Sequence, residues 1–295
     1  MCLDSLAQSD FDSYEVIVID NGSVDGSREM IEEKYPQVRL IKNRENMGFA
    51  VACNQGIKAA TGTYISLLNN DIEVESSWLS NLYEGMERHP ECGMGTTKMM
   101  FLDQRDVFYN TGDLFHAWSA GGGRGQGEKD VGQYDREDYV FGACAGAGIY
   151  RRDFFEQVGI FDEDFFIFAE DVDINMRGQL QGFKCIYLPE AKVYHIGTAT
   201  VGLYSDRYIY LCKRNDIFVL IRNYSLRMYF RYLWTILKHQ FNDIKYFTYR
   251  GQGIVLFKSK LDAFKMLLPM LFRRFRIQSS RTVPDSKIDP LITKS

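Results

Sequence analysis

Up to about Arg88, short apolar runs alternate with segments whose apolar positions recur every three or four residues. Glu15-Val16-Ile17-Val18-Ile19-Asp20 is continuous in β-branched residues and predicts a fully buried strand that ends in a carboxylate. Asn21-Gly22-Ser23-Val24-Asp25-Gly26-Ser27 supplies turn and cap residues before a helix from Arg28 to about Tyr35. Val38 to Lys42 predicts a second strand, followed by Asn46-Met47-Gly48-Phe49 and a helix that Thr61-Gly62 stops after Ala60. Tyr64 opens a central strand whose apolar run, Ile65-Ser66-Leu67-Leu68, ends abruptly in Asn69-Asn70-Asp71. Three strand–helix alternations predict an α/β domain, a mostly parallel sheet with helices on both faces.

From Met99 to Asp138 the periodicity dissolves, and Gly121-Gly122-Gly123-Arg124-Gly125-Gln126-Gly127 reads as a flexible loop, because no strand leads into it and no helix follows promptly. Order returns at Val140 to Tyr150, whose small residues permit close backbone approach, and Arg151 to Val158 predicts a short helix. Phe161 to Asp173 mixes aromatics with six carboxylates and runs into a helix to about Gln181. Lys184 to Leu188 is a strand, and Lys192-Val193-Tyr194 is an extended piece that delivers His195 to a glycine-containing loop. Beyond Ser205 three helical stretches, Tyr208 to Tyr224, Leu226 to about Phe247 and Ile254 to about Phe275, mix apolar residues with interposed Lys and Arg. The expected organisation is a domain over 1–204, a basic helical extension over 205–277 and a disordered tail over 278–295.

Composition changes this picture little. The 295 residues are 45% hydrophobic and 25% charged, as in folded globular chains, so disorder and fibrous repeats are excluded. The six cysteines are scattered, with no Cys-x-x-Cys pair, which argues for reduced thiols rather than a disulfide frame or zinc site. No apolar run approaches the roughly 18 residues of a membrane span, and the first residues lack a basic-then-apolar signal pattern, so a cytoplasmic location is expected. Charge changes the picture more. From Leu203 onward there are 18 Lys and Arg against 6 Asp and Glu, although the whole chain is at −4. Basic helices rich in aromatics suit packing on the domain, and also an anionic membrane surface on which the protein would sit peripherally. No nucleic-acid partner is expected.

The candidate chemistry gathers where the strand from Tyr64 stops. Oxygen-bearing side chains at the carboxyl edge of an α/β sheet lie where such sheets bind ligands. They suit Mg²⁺ or Mn²⁺, which takes one or two protein carboxylates and fills its other positions with phosphate oxygens and water. The same tripeptide is also ordinary turn chemistry. In the acid cluster, Glu170, Asp171 and Asp173 occupy a first helical turn, where the helix dipole favours negative charge, and Asp173 can pair with Arg177 one turn on.

With these residues in view the chain resembles the family 2 glycosyltransferases, in particular the rhamnosyltransferase-like branch of cell-surface polysaccharide synthesis. The matching segments are Val18-Ile19-Asp20-Asn21-Gly22-Ser23 with Asp25-Gly26-Ser27, Asn46-Met47-Gly48-Phe49 with Asn54 and Gly56, Leu67 to Asp71, Gly159 to Glu163 with Phe165-Phe166, Glu170 to Asp173 with Arg177, and Pro189 with His195. The resemblance implies a GT-A fold, a nucleotide-diphosphate sugar donor, a saccharide or polyprenyl-linked acceptor, and inversion at the anomeric carbon. It implies that Asp20 holds the base or ribose, with Asn21, Ser23, Asn46, Gly48, Asn54 and Asn70 completing the donor site. Asn69-Asn70-Asp71 stands where the family has an Asp-x-Asp metal motif, so Asn69 replaces its first Asp, and Asp71 with His195 would hold the metal. Asp171 matches the general base, organised by Glu170 and Asp173. Two other readings are a sugar nucleotidyltransferase, for which the expected glycine- and basic-rich phosphate loop is lacking, and a truncated, non-catalytic paralogue that binds partners. Met1 to Ala7 reads as the second half of a helix, so an opening strand of the family is expected to be missing.

Overall fold

The computed structural model describes residues 1–118, 121–197, 202 and 204–293. A helix α1 (Cys2–Leu6) leads to β1 (Ile17–Asp20), α2 (Ser27–Lys34), β2 (Arg39–Lys42) and α3 (Phe49–Ala59). β1 and β2 pair in parallel as a two-stranded sheet of their own. The expectation of a fully buried first strand is corrected here: Ile17, Val18 and Ile19 are only half-buried, because β1 is hydrogen-bonded along one edge and α3 covers it from one side. Glycine is required at two turns beside this sheet. At Gly22 (φ 89°) and Gly48 (φ 92°) a Cβ would stand 2.6 Å from the Glu45 backbone and 2.7 Å from Phe166.

Next come β3 (Tyr64–Leu68), β4 (Ile72–Val74), α4 (Trp78–Arg88), β5 (Cys92–Phe101), β6 (Phe108–Asn110), β7 (Asp113–His116), β8 (Gly121–Gly123), β9 (Asp138–Val140), β10 (Ala147–Arg151), α5 (Arg152–Val158), α6 (Glu170–Leu180) and β11 (Lys184–His195). A seven-stranded sheet runs β3-β10-β5-β11-β4, with β6 on β5 and β9 on β11. The strand from Tyr64 therefore lies at an edge, and the centre is β5, which no apolar run announces. Pairing is mixed rather than mostly parallel: β5 and β11 are parallel, whereas β10 runs antiparallel to both its neighbours.

Two further expectations are corrected. The glycine-rich stretch opens with β8, antiparallel to β7, because its backbone must come close to other elements: a Cβ at Gly121 would meet Val172 at 2.5 Å. The C-terminal residues are ordered as far as Thr293. After α7 (Asp206–Asn223), α8 (Leu226–Tyr249), α9 (Gly253–Lys265) and α10 (Leu267–Ser279), the chain forms α11 (Asp285–Ile288) and β12 (Ile292–Thr293). β12 joins β7 in parallel, and Ile288 and Ile292 are buried with Phe115, Tyr224 and Met228. These apolar anchors, spaced four apart in a polar stretch, hold the segment down. α7 belongs to the same core as α6, since Phe218 and Val219 cluster with Phe165, Val172 and Met176.

Candidate active site

The Asn69 N–H donates to the Gly146 carbonyl (2.8 Å), one rung beyond the Leu68–Ala147 pair, which ties the Asn-Asn-Asp corner to the loop before β10. Asp71 precedes β4, whose Ile72 pairs with His195 at the end of β11. That register places His195 Nε2 3.1 Å from Asp71 Oδ1. His195 is buried and Asp71 partly open, the Tyr109 ring meets the imidazole edge-on at 4.5 Å, and Nδ1 has no hydrogen-bond partner among the described residues. Asn70 is exposed and Asn69 half-buried beside Gly146. A carboxylate and an imidazole at this separation suit an octahedral divalent cation that takes its other ligands from a diphosphate and water. No cluster of three or more His, Cys, Asp or Glu side chains stands ready for a metal among the described residues. The described Asp71 and His195 side chains alone would leave the cation's shell incomplete, with room for diphosphate oxygens and water.

Across the Ala145-Gly146 loop stands the acid cluster at the start of α6. Burial raises the Asp171 carboxyl above the ordinary range, against the backbone N–H groups of Val172 and Ala145, which favour its charged form. Glu170 is pushed well up by burial and then by the Asp171 charge, and its Oε2 is buried without a partner among the described residues. A third carboxyl, Asp113, is raised by the same two causes, although Asn110 (2.8 Å) and Asn175 (3.2 Å) donate to it. Asp113 lies in the stretch without periodicity, and nothing in the sequence singled it out. Three crowded carboxyls of raised pKa are the environment in which one can act as a base near neutral pH.

Asp173 is not part of this group. It is fully buried and faces Arg177 (2.8 Å), Arg222 (3.4 Å) and Asn223 (2.9 Å). Burial works to raise its pKa, but the two guanidinium groups outweigh it and hold the carboxyl below the usual range. These contacts lock α6, the helix that carries Asp171, to α7.

The loop entering α6 is strained, with Phe166, Phe168 and Ala169 at φ 66°, 72° and 63°. Three carbonyls of this loop, those of Phe165, Ile167 and Phe168, accept from Asn215 Nδ2 at 3.0, 3.0 and 2.7 Å. Arg214 adds bonds to the Asp164 and Phe165 carbonyls, both 2.9 Å. α7 therefore clamps the loop that presents Glu170 and Asp171. A helical repeat cannot reveal such a role, since the partners lie some fifty positions earlier in the chain.

The expected donor residues form a neighbouring group. Asp20 is buried, pairs with Arg28 (2.5 Å) and accepts from the Ser23 N–H (3.3 Å); burial alone would raise its pKa, but these partners bring it below the usual range. Asn21 bridges Asn46 (3.1 Å), the Gly48 carbonyl (3.0 Å) and the Met47 N–H (3.0 Å). Asn54 is buried, with its amide bonded to Phe161 and Glu163, so it braces the acidic segment. The two groups meet where the Phe166 carbonyl accepts from the Ala50 N–H (3.2 Å) and the Phe166 ring covers Gly48.

Known proteins share this arrangement of elements. The chain is 24% identical over 240 residues to an N-acetylglucosaminyl-diphospho-decaprenol L-rhamnosyltransferase of Mycobacterium tuberculosis, covering 68% of this chain and 75% of that protein. Among solved structures, a 1–349 fragment of S. aureus TarS matches with a TM-score of 0.56 at 15% identity, over 95% of this chain and 86% of the fragment. GalNAc-T7 with UDP, GalNAc and Mn²⁺ matches with a TM-score of 0.58 at 16% identity, over 75% of this chain but only 44% of that longer one. These likenesses identify the GT-A fold. The family model for glycosyl transferase family 2 matches residues 1–159, more than half of the sequence, and the chain belongs to that family.

Proposed function

We propose that the chain is an inverting, metal-dependent glycosyltransferase that moves a sugar from a nucleotide-diphosphate donor to a saccharide or prenyl-diphosphate-linked acceptor in cell-surface polysaccharide synthesis. The mycobacterial relative, named for L-rhamnosyl transfer to a diphospho-decaprenol acceptor, favours rhamnose as the donor sugar. The observation that supports the reading best is the placing of Asp71 and His195 across one small-residue loop from Glu170 and Asp171. Asp171 takes the proton of the acceptor hydroxyl as its oxygen bonds to the anomeric carbon, an assistance worth about 10²–10⁴-fold. Glu170 keeps the base in a crowded, poorly solvated site, and Asp20, Asn21, Ser23, Asn46 and Asn70 hold the nucleotide side. Mg²⁺ or Mn²⁺ held by Asp71 and His195, with Asn69 beside them, would neutralise charge on the departing diphosphate. A thermal-shift panel of nucleotide sugars with and without Mn²⁺ tests this: a ligand at 100 times its Kd adds about 2.7 kcal/mol of stability. Stabilisation by none of them would overturn the reading.

The partner expected of the C-terminal helices is an anionic membrane surface on the cytoplasmic side. Apolar side chains at 230, 234, 237, 241 and 244 form one face of α8 and are left in the open, with Phe230 79% and Trp234 82% exposed. A second row, Phe257, Leu261, Phe264 and Leu268, continues from α9 into α10. Much of the basic excess is internal: Lys213, Arg222, Arg273 and Arg281 pair with buried or half-buried carboxylates. Arg227, Lys238, Lys245, Lys258 and Arg276 stay exposed on the apolar helices and complement an anionic headgroup layer. Among the described residues no helix is long and apolar enough to cross a membrane, so the fitting geometry is helices lying in the interface.

A further inference from the structure

Where α7 passes the strained loop that leads to Asp171, Phe166, Arg207, Tyr210, Leu211 and Arg214 line a cavity of about 310 Å³. Two of its five walls are guanidinium groups. Among the described residues neither Arg207 nor Arg214 has a carboxylate at ion-pair distance, whereas Arg177, Arg222 and Arg273 nearby are all paired. Arg214 is held in place by the Asp164 and Phe165 carbonyls and by Asn215 Oδ1 (3.0 Å), so its position is fixed before any ligand arrives. Arg207 is exposed, with its Cζ 5.4 Å from the Phe166 ring centroid. Asp262, the carboxylate bonded to the lining residue Tyr210, accepts from Tyr210 (2.8 Å) and Lys265 (2.6 Å).

The cavity lies between the two surfaces that a lipid-linked substrate must touch at once. On one side Phe166 covers Gly48 and is hydrogen-bonded to Ala50, next to the donor loop. On the other, the Tyr210–Asp262 bond joins it to α9, whose Phe257 and Phe264 form the exposed apolar row. Two neighbouring guanidinium groups, one of them preset, beside aromatic and aliphatic walls recognise an anion attached to a hydrocarbon. We infer that this cavity binds the phosphate or diphosphate of a lipid-linked acceptor, with the lipid directed to the α8–α10 face and the saccharide to Asp171. The inference rests on the proposed glycosyl transfer, and it assigns Arg207 and Arg214 to the acceptor and not to the donor.

Calorimetric titration of the full chain with farnesyl diphosphate, with inorganic pyrophosphate and with UDP, dTDP and GDP in Mn²⁺ tests it. Arg207→Gln, at an exposed position, should weaken farnesyl diphosphate by about tenfold, the loss of one charge-assisted hydrogen bond, and leave the nucleoside diphosphates unchanged. Arg207→Lys should recover part of the loss. Farnesyl diphosphate should also bind more tightly than pyrophosphate, because the apolar walls add to the contact. Equal weakening of prenyl and nucleoside diphosphates would assign the cavity to the donor and overturn the inference, as would unchanged farnesyl diphosphate binding in Arg207→Gln. Failure of every nucleoside diphosphate to bind, with Arg207-dependent prenyl diphosphate binding intact, would sink the glycosyl-transfer reading and leave the anion site standing.

Discussion

Asn215→Asp keeps the shape of a buried side chain and removes the amide that donates to the carbonyls of Phe165, Ile167 and Phe168. Those carbonyls belong to the turn in which Phe166, Phe168 and Ala169 take positive φ. Each strained residue costs about 1–3 kcal/mol, so the turn persists only while its surroundings over-determine it. One amide has two N–H groups. Losing both bonds removes about 0.5–1.5 kcal/mol each, and carbonyls left unsatisfied add about 1–3 kcal/mol. A carboxylate facing carbonyl oxygens worsens the balance or takes up a proton. We expect a loss of about 3 kcal/mol, read by calorimetry as a fall in Tm of about 5 °C for a chain of this size. Because Glu170 and Asp171 follow the turn directly, kcat should fall more than the donor KM rises. A variant that melts within about 1 °C of the parent, where roughly 5 °C is expected, would refute the clamp.

Glu170→Gln addresses the crowded carboxyls. Burial and the Asp171 charge raise Glu170 in the folded state, so its stabilising contribution is fully present below its unfolded pKa and is lost as pH rises through the folded one. In metal-free buffer the variant should therefore be more stable than the parent at pH 8 and converge with it near pH 4, by thermal melts; parallel curves would contradict the shift. His195→Ala should raise the Mn²⁺ concentration needed for donor binding by at least about tenfold without unfolding the domain, and equal metal dependence would make His195 structural. Replacing Phe230 and Trp234 together by glutamate should abolish flotation with phosphatidylglycerol vesicles while leaving Tm unchanged, since both side chains are exposed. Vesicle binding equal to the parent's would remove α8 from the membrane contact.

What could be read from the sequence follows from where the chemistry lies in it. β1 and β3 are β-branched or apolar runs that end in polar residues, so both the strands and the placing of Asp20 and Asp71 at their ends were legible. His195 was legible for the same reason. β5 was not, because Gly93 and Gly95 break any apolar pattern. They are glycines because a Cβ at either would stand 2.5 Å from Phe183 or 2.8 Å from Ile149, a packing requirement invisible before the sheet is assembled. Asp113 was hidden likewise: an aspartate amid turn residues looks solvated until Asn110 and Asn175 close over it. The basic excess of the last third was plain, but its division between exposed lysines and arginines such as Arg222, buried against Asp162 and Asp173, depends on how α7 packs on α6. The order of the last residues depends likewise on two isoleucines finding a core that the rest of the chain builds.

The most direct measurement is the release of nucleoside diphosphate from the stabilising nucleotide sugar, in Mn²⁺ and with a prenyl-diphosphate-linked saccharide acceptor, by wild type and by Asp171→Asn. If Asp171 takes the acceptor proton in the transition state, the variant should bind the donor as the parent does and turn over at least about a hundredfold more slowly. Turnover at the wild-type rate in Asp171→Asn would contradict the account.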